Sequence, residues 1–178
     1  MAKELDDMMM LKLSTPVRAV HIDFSYAGAE DFLHDNLPAG EAAKVAGGRW
    51  AIINVWRPLY NPISRDPLAV CDARSVPEAD LVNVLAVIPK EATHKVLSKR
   101  RELKGFNLRH NPEHRWYYAS RMTPDEALLI KIFDSAKDGI ARRVPHSAFT
   151  DPNTNSHDPT RQSIEIRCLV SWGYESTE

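Results

Sequence analysis

Residues 18–25, RAVHIDFS, place a histidine and an aspartate two positions apart in a run that otherwise reads as a strand. Side chains at i and i+2 of a strand point to the same side, so His21 and Asp23 share one face while Val20, Ile22 and Phe24 take the other. A metal ion needs that convergence, because its donor atoms must all come within ~2 Å of one point. The pair alone is a weak signal. With seven histidines and 24 acidic residues, about one His-x-Asp/Glu is expected by chance. A third ligand has to come from elsewhere. His34 lies in a helix-like stretch, His94 and His110 in basic polar segments, His157 in a loop, and His114 opens the aromatic run HRWYY. His146, in RVPHSAF, sits on a late strand just after a proline that fixes the local backbone. Joined to His21 and Asp23, it completes a two-His-one-carboxylate set with open positions on iron(II). Any one of these histidines can instead sit at the surface or line a core.

A second constellation follows in RQSIEIR, where Arg161 and Ser163 again stand at i and i+2 and share a face. A guanidinium there can grip a carboxylate through two parallel hydrogen bonds while the serine hydroxyl adds a third. The alternative for Arg161 is a surface ion pair with Glu165. Arg-x-Ser is also an ordinary accident of composition. What adds weight is the order: His-x-Asp, a long gap, His, then Arg-x-Ser on the following strand. Fourteen residues separate His146 from Arg161, and the polar insert TDPNTNSHDPT can form a long hairpin loop between them.

The elements that must position these residues are mostly strands. Short runs rich in Val, Ile, Leu and aromatics fall at 17–24, 49–56, 68–73, 82–88, 114–120, 127–134, 143–149 and 163–171, separated by turn-formers such as PLYNPISRDP. Helical signals are fewer: 28–36, a turn at 77–81, and 123–127, where Thr123 can cap with Glu126. Segment 90–104 carries six Lys/Arg and reads as a solvated face. About eight short strands with few helices predict a mainly β architecture, a double-stranded β-helix (jelly roll), as one domain over 1–178, with 1–16 outside the ordered part.

Composition narrows the function classes. At 178 residues the chain can bury one substantial core. A net charge of −1 gives no global field toward nucleic acid or an anionic membrane surface, and no apolar run reaches the ~20 residues that span a bilayer. The acidic start, MAKELDDMMMLKLS, lacks the positive charge of an export signal. Cys71 and Cys168 lie far apart in strand-like apolar contexts, which predicts free thiols and a cytoplasmic setting.

The stretches NVWRPL, PLAVCDARSV, HRWYYASRMTPDEALLIKIFDS, VPHSAFTDP and RQSIEIR resemble a family of fungal, partly bacterial, hydroxylase/desaturase-like proteins. Its members include gibberellin-desaturase-like and aspergillic-acid-hydroxylase-like proteins and a cephamycin methoxylation component. The resemblance runs from about residue 17 to 172 and implies a branch of the Fe(II)/2-oxoglutarate oxygenases of secondary metabolism, which use O2 and act on a small-molecule substrate. It assigns metal ligation to His21, Asp23 and His146, and the distal carboxylate of 2-oxoglutarate to Arg161 with Ser163 assisting. Asn54, Trp56, Arg57 and Tyr118 match positions that line the substrate pocket. Family members carry a substantial region before the His-x-Asp strand, whereas some twenty residues precede it here. The expectation is therefore a barrel short of its first strand, with MMMLKL a poor substitute. Two other readings stand beside the oxygenase: an inactive jelly-roll module that binds a metabolite or a partner protein, and a cupin-like metalloenzyme that does not use 2-oxoglutarate.

Overall fold

Alternation sets the longest strand. In RWAIINVWRP, Trp50, Ile52, Asn54, Trp56 and Pro58 are buried while Arg49 and Arg57 are exposed, the period-2 pattern of a sheet with one face on a core. The computed structural model describes residues 16–87, 102–155 and 157–173. Its strands are β1 (His21–Ile22), β2 (Arg49–Pro58), β3 (Leu68–Cys71), β4 (Leu81–Val87), β5 (Glu102–Leu108), β6 (Trp116–Tyr118), β7 (Leu128–Asp134), β8 (His146–Ala148) and β9 (Ser163–Trp172). Two helices, α1 (Tyr26–Asn36) and α2 (Ala39–Ala46), follow β1. All strand pairs are antiparallel and form two sheets, β4-β5-β1-β8-β3-β6 and β7-β2-β9. The fold is the expected jelly roll.

One core joins the layers. Ile22, Phe24, Leu33, Trp50, Ile52, Phe106, Ile130, Ile132 and Phe133 are buried together, and Ile52 is fully enclosed. Helix α1 is capped by Ser25, whose hydroxyl accepts from the Gly28 amide at 3.2 Å. Gly28 is required by proximity, because a methyl group there would collide with the Lys104 carbonyl oxygen of β5.

The two partners of β2 differ in register. Its ladder with β9 is unbroken from Arg49↔Trp172 to Pro58↔Ser163. Its ladder with β7 shifts between Ile52, opposite Phe133, and Ile53, opposite Lys131, so Ile132 is an extra residue in a β-bulge. Below the bulge, Asp134 is buried and held by Arg49 Nη2 at 2.8 Å and Lys131 Nζ at 3.0 Å.

Several elements depart from the sequence reading. The strands expected at 17–24, 114–120 and 143–149 contract to β1, β6 and β8. Pro145 lacks an N–H to donate, which limits β8 at its start. No helix forms at 123–127. Instead the Glu126 carboxylate accepts from the Thr123 amide and hydroxyl at 2.7 and 2.9 Å, closing an isolated turn. Helix α2 and strand β5 were not expected. The end of the supposed solvated segment 90–104 enters β5, where Lys104 pairs with Asp31 at 2.8 Å. Residues 90–101, His94 among them, and the MMMLKL run lie outside the described residues.

Candidate metal centre

Strand β1 pairs with β8 so that His21 lies directly opposite His146, and residues opposite each other in an antiparallel pair project to the same face. Asp23 follows two residues after His21 and turns to the same side. One donor atom from each of the three lies within 4.8 Å of the others. His21 Nε2 stands 3.4 Å and His146 Nε2 3.6 Å from Asp23 Oδ1.

Backbone carbonyls fix both imidazoles. His21 Nδ1 lies 2.8 Å from the Ala19 carbonyl oxygen, and His146 Nδ1 lies 3.1 Å from that of Val144. A carbonyl only accepts, so each Nδ1 carries a hydrogen, and each Nε2, the nitrogen left to ligate a metal, faces the aspartate. Donors ~2.1 Å from one ion lie ~3.0 Å apart at right angles and ~3.4 Å apart at tetrahedral angles. The two spacings to Asp23 Oδ1, 3.4 and 3.6 Å, lie at and just beyond the upper end of that range, and the donor set of two imidazoles and one carboxylate suits a divalent transition metal such as Fe(II).

The three-stranded sheet supplies the second half of the centre. Asp23 Oδ2 accepts from Asn54 Nδ2 at 2.8 Å and from Arg167 Nη2 at 2.8 Å. Asn54 Nδ2 also donates to Glu165 Oε1 at 2.8 Å, and Arg167 Nη2 stands 3.5 Å from that oxygen. Asn54 is fully buried, and its Oδ1 has no hydrogen-bond partner among the described residues. Burial alone would raise the Asp23 pKa, but His146, His21 and Arg167 together hold it well below the usual carboxylate range. Glu165 moves the other way, raised by burial and by the neighbouring Asp23 charge. Burial opposes the His21 imidazolium, yet the hydrogen bonds to Asp23 and Ala19 leave its pKa raised. Gly105 of β5 leaves the backbone of this loop room, since a Cβ there would sit 3.1 Å from the Ile22 carbonyl oxygen and 3.2 Å from that of Asp23. A cavity of about 240 Å³ opens beside the centre, lined by His21, Asp23, Val84, Asn107 and Arg167 among others.

The other sequence candidates fall in different places. Arg161 precedes β9 in phase with Ser163, Glu165 and Arg167, the alternation that faces the centre. Its guanidinium lies over Trp56, 5.5 Å from the ring centroid, and donates to the Asp66 carbonyl at 2.8 Å. The alternative for Arg161, a surface ion pair with Glu165, is not formed, and Glu165 turns instead to Asn54 and Arg167. Ser163 opens β9 opposite Pro58. Arg57 projects to the exposed face of β2, away from Asn54 and Trp56. Tyr118, at the rim of the larger sheet, packs edge-on against Phe149 and is exposed. His114 pairs with Asp80 at 3.0 Å, apart from the centre. Sequence reasoning gave Arg167 no role and Glu165 only that surface pairing. Both were signalled by the same alternation, Arg161, Ser163, Glu165, Arg167, carried two steps further.

An antiparallel jelly roll with a His-Asp-His cluster between its sheets defines a class of metal-dependent oxidoreductase folds, and the comparisons with known proteins agree. Residues 4–171 match the family described as "Oxidoreductase/YMDC permease-like domain", and the chain belongs to that family. It is 46% identical over 176 residues to the hydroxylase/desaturase CTB9 of Cercospora beticola, covering 99% of this chain and 53% of that protein. It is 36% identical over 156 residues to the alpha-ketoglutarate-dependent dioxygenase phiK of a fungal species, covering 87% and 52%. Among solved structures, the iron and alpha-ketoglutarate-dependent endoperoxidase NvfI superposes with a TM-score of 0.74 at 32% identity, over 90% of this chain and 56% of that one. The resemblance to fungal hydroxylase/desaturases read from the sequence therefore holds. The chain spans about half the length of the curated relatives it matches. No helix among the described residues is long and apolar enough to cross a membrane.

Proposed function

We propose that this chain carries the metal-binding jelly roll of an Fe(II)/2-oxoglutarate-dependent oxygenase that hydroxylates or desaturates a small-molecule secondary metabolite. The observation that carries the reading is the convergence of two oriented imidazole Nε2 atoms on a single aspartate oxygen. His21, Asp23 and His146 hold the iron. When bound with 2-oxoglutarate and O2, the metal supplies an oxidant able to break a C–H bond as the co-substrate becomes succinate and CO2.

The rest of the work belongs to the chain. Arg161 receives the distal carboxylate of 2-oxoglutarate, with the Ser163 hydroxyl adding a hydrogen bond. Among the described residues no carboxylate forms an ion pair with Arg161, and it is held only by a neutral carbonyl and the Trp56 face. Its charge therefore remains available for an anion. Arg167, the other arginine on that face, is engaged by Asp23. The cavity lined by Val84, Asn107 and Gly105 also touches His21 and Asp23 and would admit substrate to a metal held there. The free thiols of Cys71 and Cys168 fit a reducing, cytoplasmic compartment, and neither a nucleic acid nor a membrane is part of this reading.

Aerobic incubation with Fe(II) and 2-oxoglutarate tests it through succinate release. Turnover, coupled or uncoupled to substrate oxidation, is the expected result. A folded, iron-loaded sample that forms no succinate overturns the oxygenase in favour of a binding module. Succinate-free oxidation of a substrate, unaffected by Arg161→Ala, would favour the cupin-like reading.

A further inference from the structure

Two carboxylates stand beside this centre, and only one points at the imidazoles. We propose that Asn54 is the positioning residue that decides which, by tying Asp23 Oδ2 and Glu165 Oε1 to the two hydrogens of one amide nitrogen. Asp23 then offers Oδ1 alone to the metal, and Glu165 is withheld from it. This inference rests on the metal-centre reading above.

The geometry leaves the amide little choice. Both N–H groups are used, each at 2.8 Å, on oxygens of different carboxylates. Turning the amide over would set its carbonyl oxygen against both, so the arrangement of charge fixes its orientation. Arg167 strengthens the same division, donating to Oδ2 of Asp23 at 2.8 Å. With two donors on Oδ2, Asp23 has one oxygen left for a metal and becomes a monodentate ligand. The register makes the clamp dependable. Asn54 lies opposite Arg167, and Trp56 opposite Glu165, in the unbroken β2–β9 ladder. Full burial of Asn54 shields the donor end of both hydrogen bonds from water.

Asn54 Nδ2 donates to both carboxylates at 2.8 Å and Arg167 Nη2 stands 2.8 Å from Asp23 and 3.5 Å from Glu165, which sets the two carboxylates side by side. In this proposal Glu165, once released from Asn54, turns toward the metal as a second carboxylate ligand. A fourth protein ligand would occupy one of the positions that a bidentate co-substrate needs. The clamp thus protects the open face of the metal.

Anaerobic Co(II) substitution, read by visible absorption, tests this without relying on activity. Wild-type protein is expected to bind one Co(II) and to change its d–d spectrum when 2-oxoglutarate is added. Asn54→Leu, similar in volume but without donors, should alter the Co(II) spectrum and weaken the 2-oxoglutarate response by about tenfold or more. Asn54→Leu combined with Glu165→Gln should recover that response, which general damage to the fold would not do. Asn54→Asp is the second variant should the leucine fail to fold. Its carboxyl supplies at most one proton, cannot bridge both neighbours, and should give the same spectral change. Folded Asn54 variants with wild-type spectra and wild-type 2-oxoglutarate response overturn the proposal, as does failure of Glu165→Gln to rescue. Failure of the wild-type protein to bind Co(II) at all would instead overturn the metal-centre reading itself.

Discussion

The larger sheet presents the candidate metal donors from short strands, β1 with two residues and β8 with three. The smaller sheet orients them from its longest, β2 and β9 with ten residues each. The difference separates two demands on a metal site. Short strands leave the carbonyls of Ala19 and Val144 outside the ladders, free to accept from the imidazoles. Long strands in continuous register bring Asn54, Glu165 and Arg167 to fixed heights on one face. Donors need adjustable backbone around them, and the residues that hold the donors need the opposite.

The division can be broken most completely on the short-strand side. His146→Ala is expected to abolish stoichiometric Fe(II) or Co(II) binding while leaving the β-sheet circular dichroism signal in place. Retained one-to-one metal would remove His146 from the centre. On the long-strand side, Ile52→Ala should do the reverse. Emptying this fully buried position in β2 should cost about 3 kcal/mol in urea unfolding, yet the folded fraction should still bind one Co(II). Loss of metal at full foldedness would show that the two sheets are not separable in this way.

The smallest effect sharpens the comparison at the end of the long ladder. Burial alone would raise the Asp134 pKa, but hydrogen bonds from Arg49, the Ala136 amide and Lys131 hold it well below the ordinary value. A folded-state pKa depressed in this way contributes stability that is present above the unfolded value of about 3.9 and fades as pH falls below it. The urea midpoint should therefore drop as pH goes from 5 toward 2, and Asp134→Asn should flatten that drop. An identical pH slope in the variant would assign the acid sensitivity elsewhere.

Much of the centre was legible in the chain because its donors obey a simple rule. His21 and Asp23 stand at strand spacing, and a late histidine is followed by Arg-x-Ser. The holders were less legible because they look like ordinary surface chemistry. Glu165 was read only as an alternative partner of Arg161 and Arg167 was given no role, and only the approach of Asp23 from the other sheet gives them a task. Asn54 was marked by resemblance as a pocket residue, and nothing in its sequence context showed that its amide nitrogen donates to two carboxylates. In the fold, β2 and β7 announced themselves as runs dense in Ile, Leu, Val and aromatic residues. Strand β5 did not, because ELKGFNL carries charge at its start and glycine where the Asp23 loop needs room. Helix α2 was hidden by composition: AGEAAKVA between Pro38 and Gly47 has few large residues to mark a buried face, and only Ala42 and Val45 are enclosed.

The bulge at Ile132 gives the two flanks of β2 different tolerance to changes in length. A residue gained or lost at the Phe133–Asp134 end of β7 meets a place where the ladder already accommodates one unpaired residue, so the disturbance can stop before reaching Asn54, which pairs with Ile130 on the other side of the bulge. The β9 side has no such slack: one residue inserted between Ser163 and Arg167 would turn Glu165 or Arg167 to the outer face. Changes in length at that end of β7 are therefore compatible with an intact Asn54–Asp23 contact. In β9 even a single codon inserted or deleted would take apart the holder while leaving all three ligands in the gene.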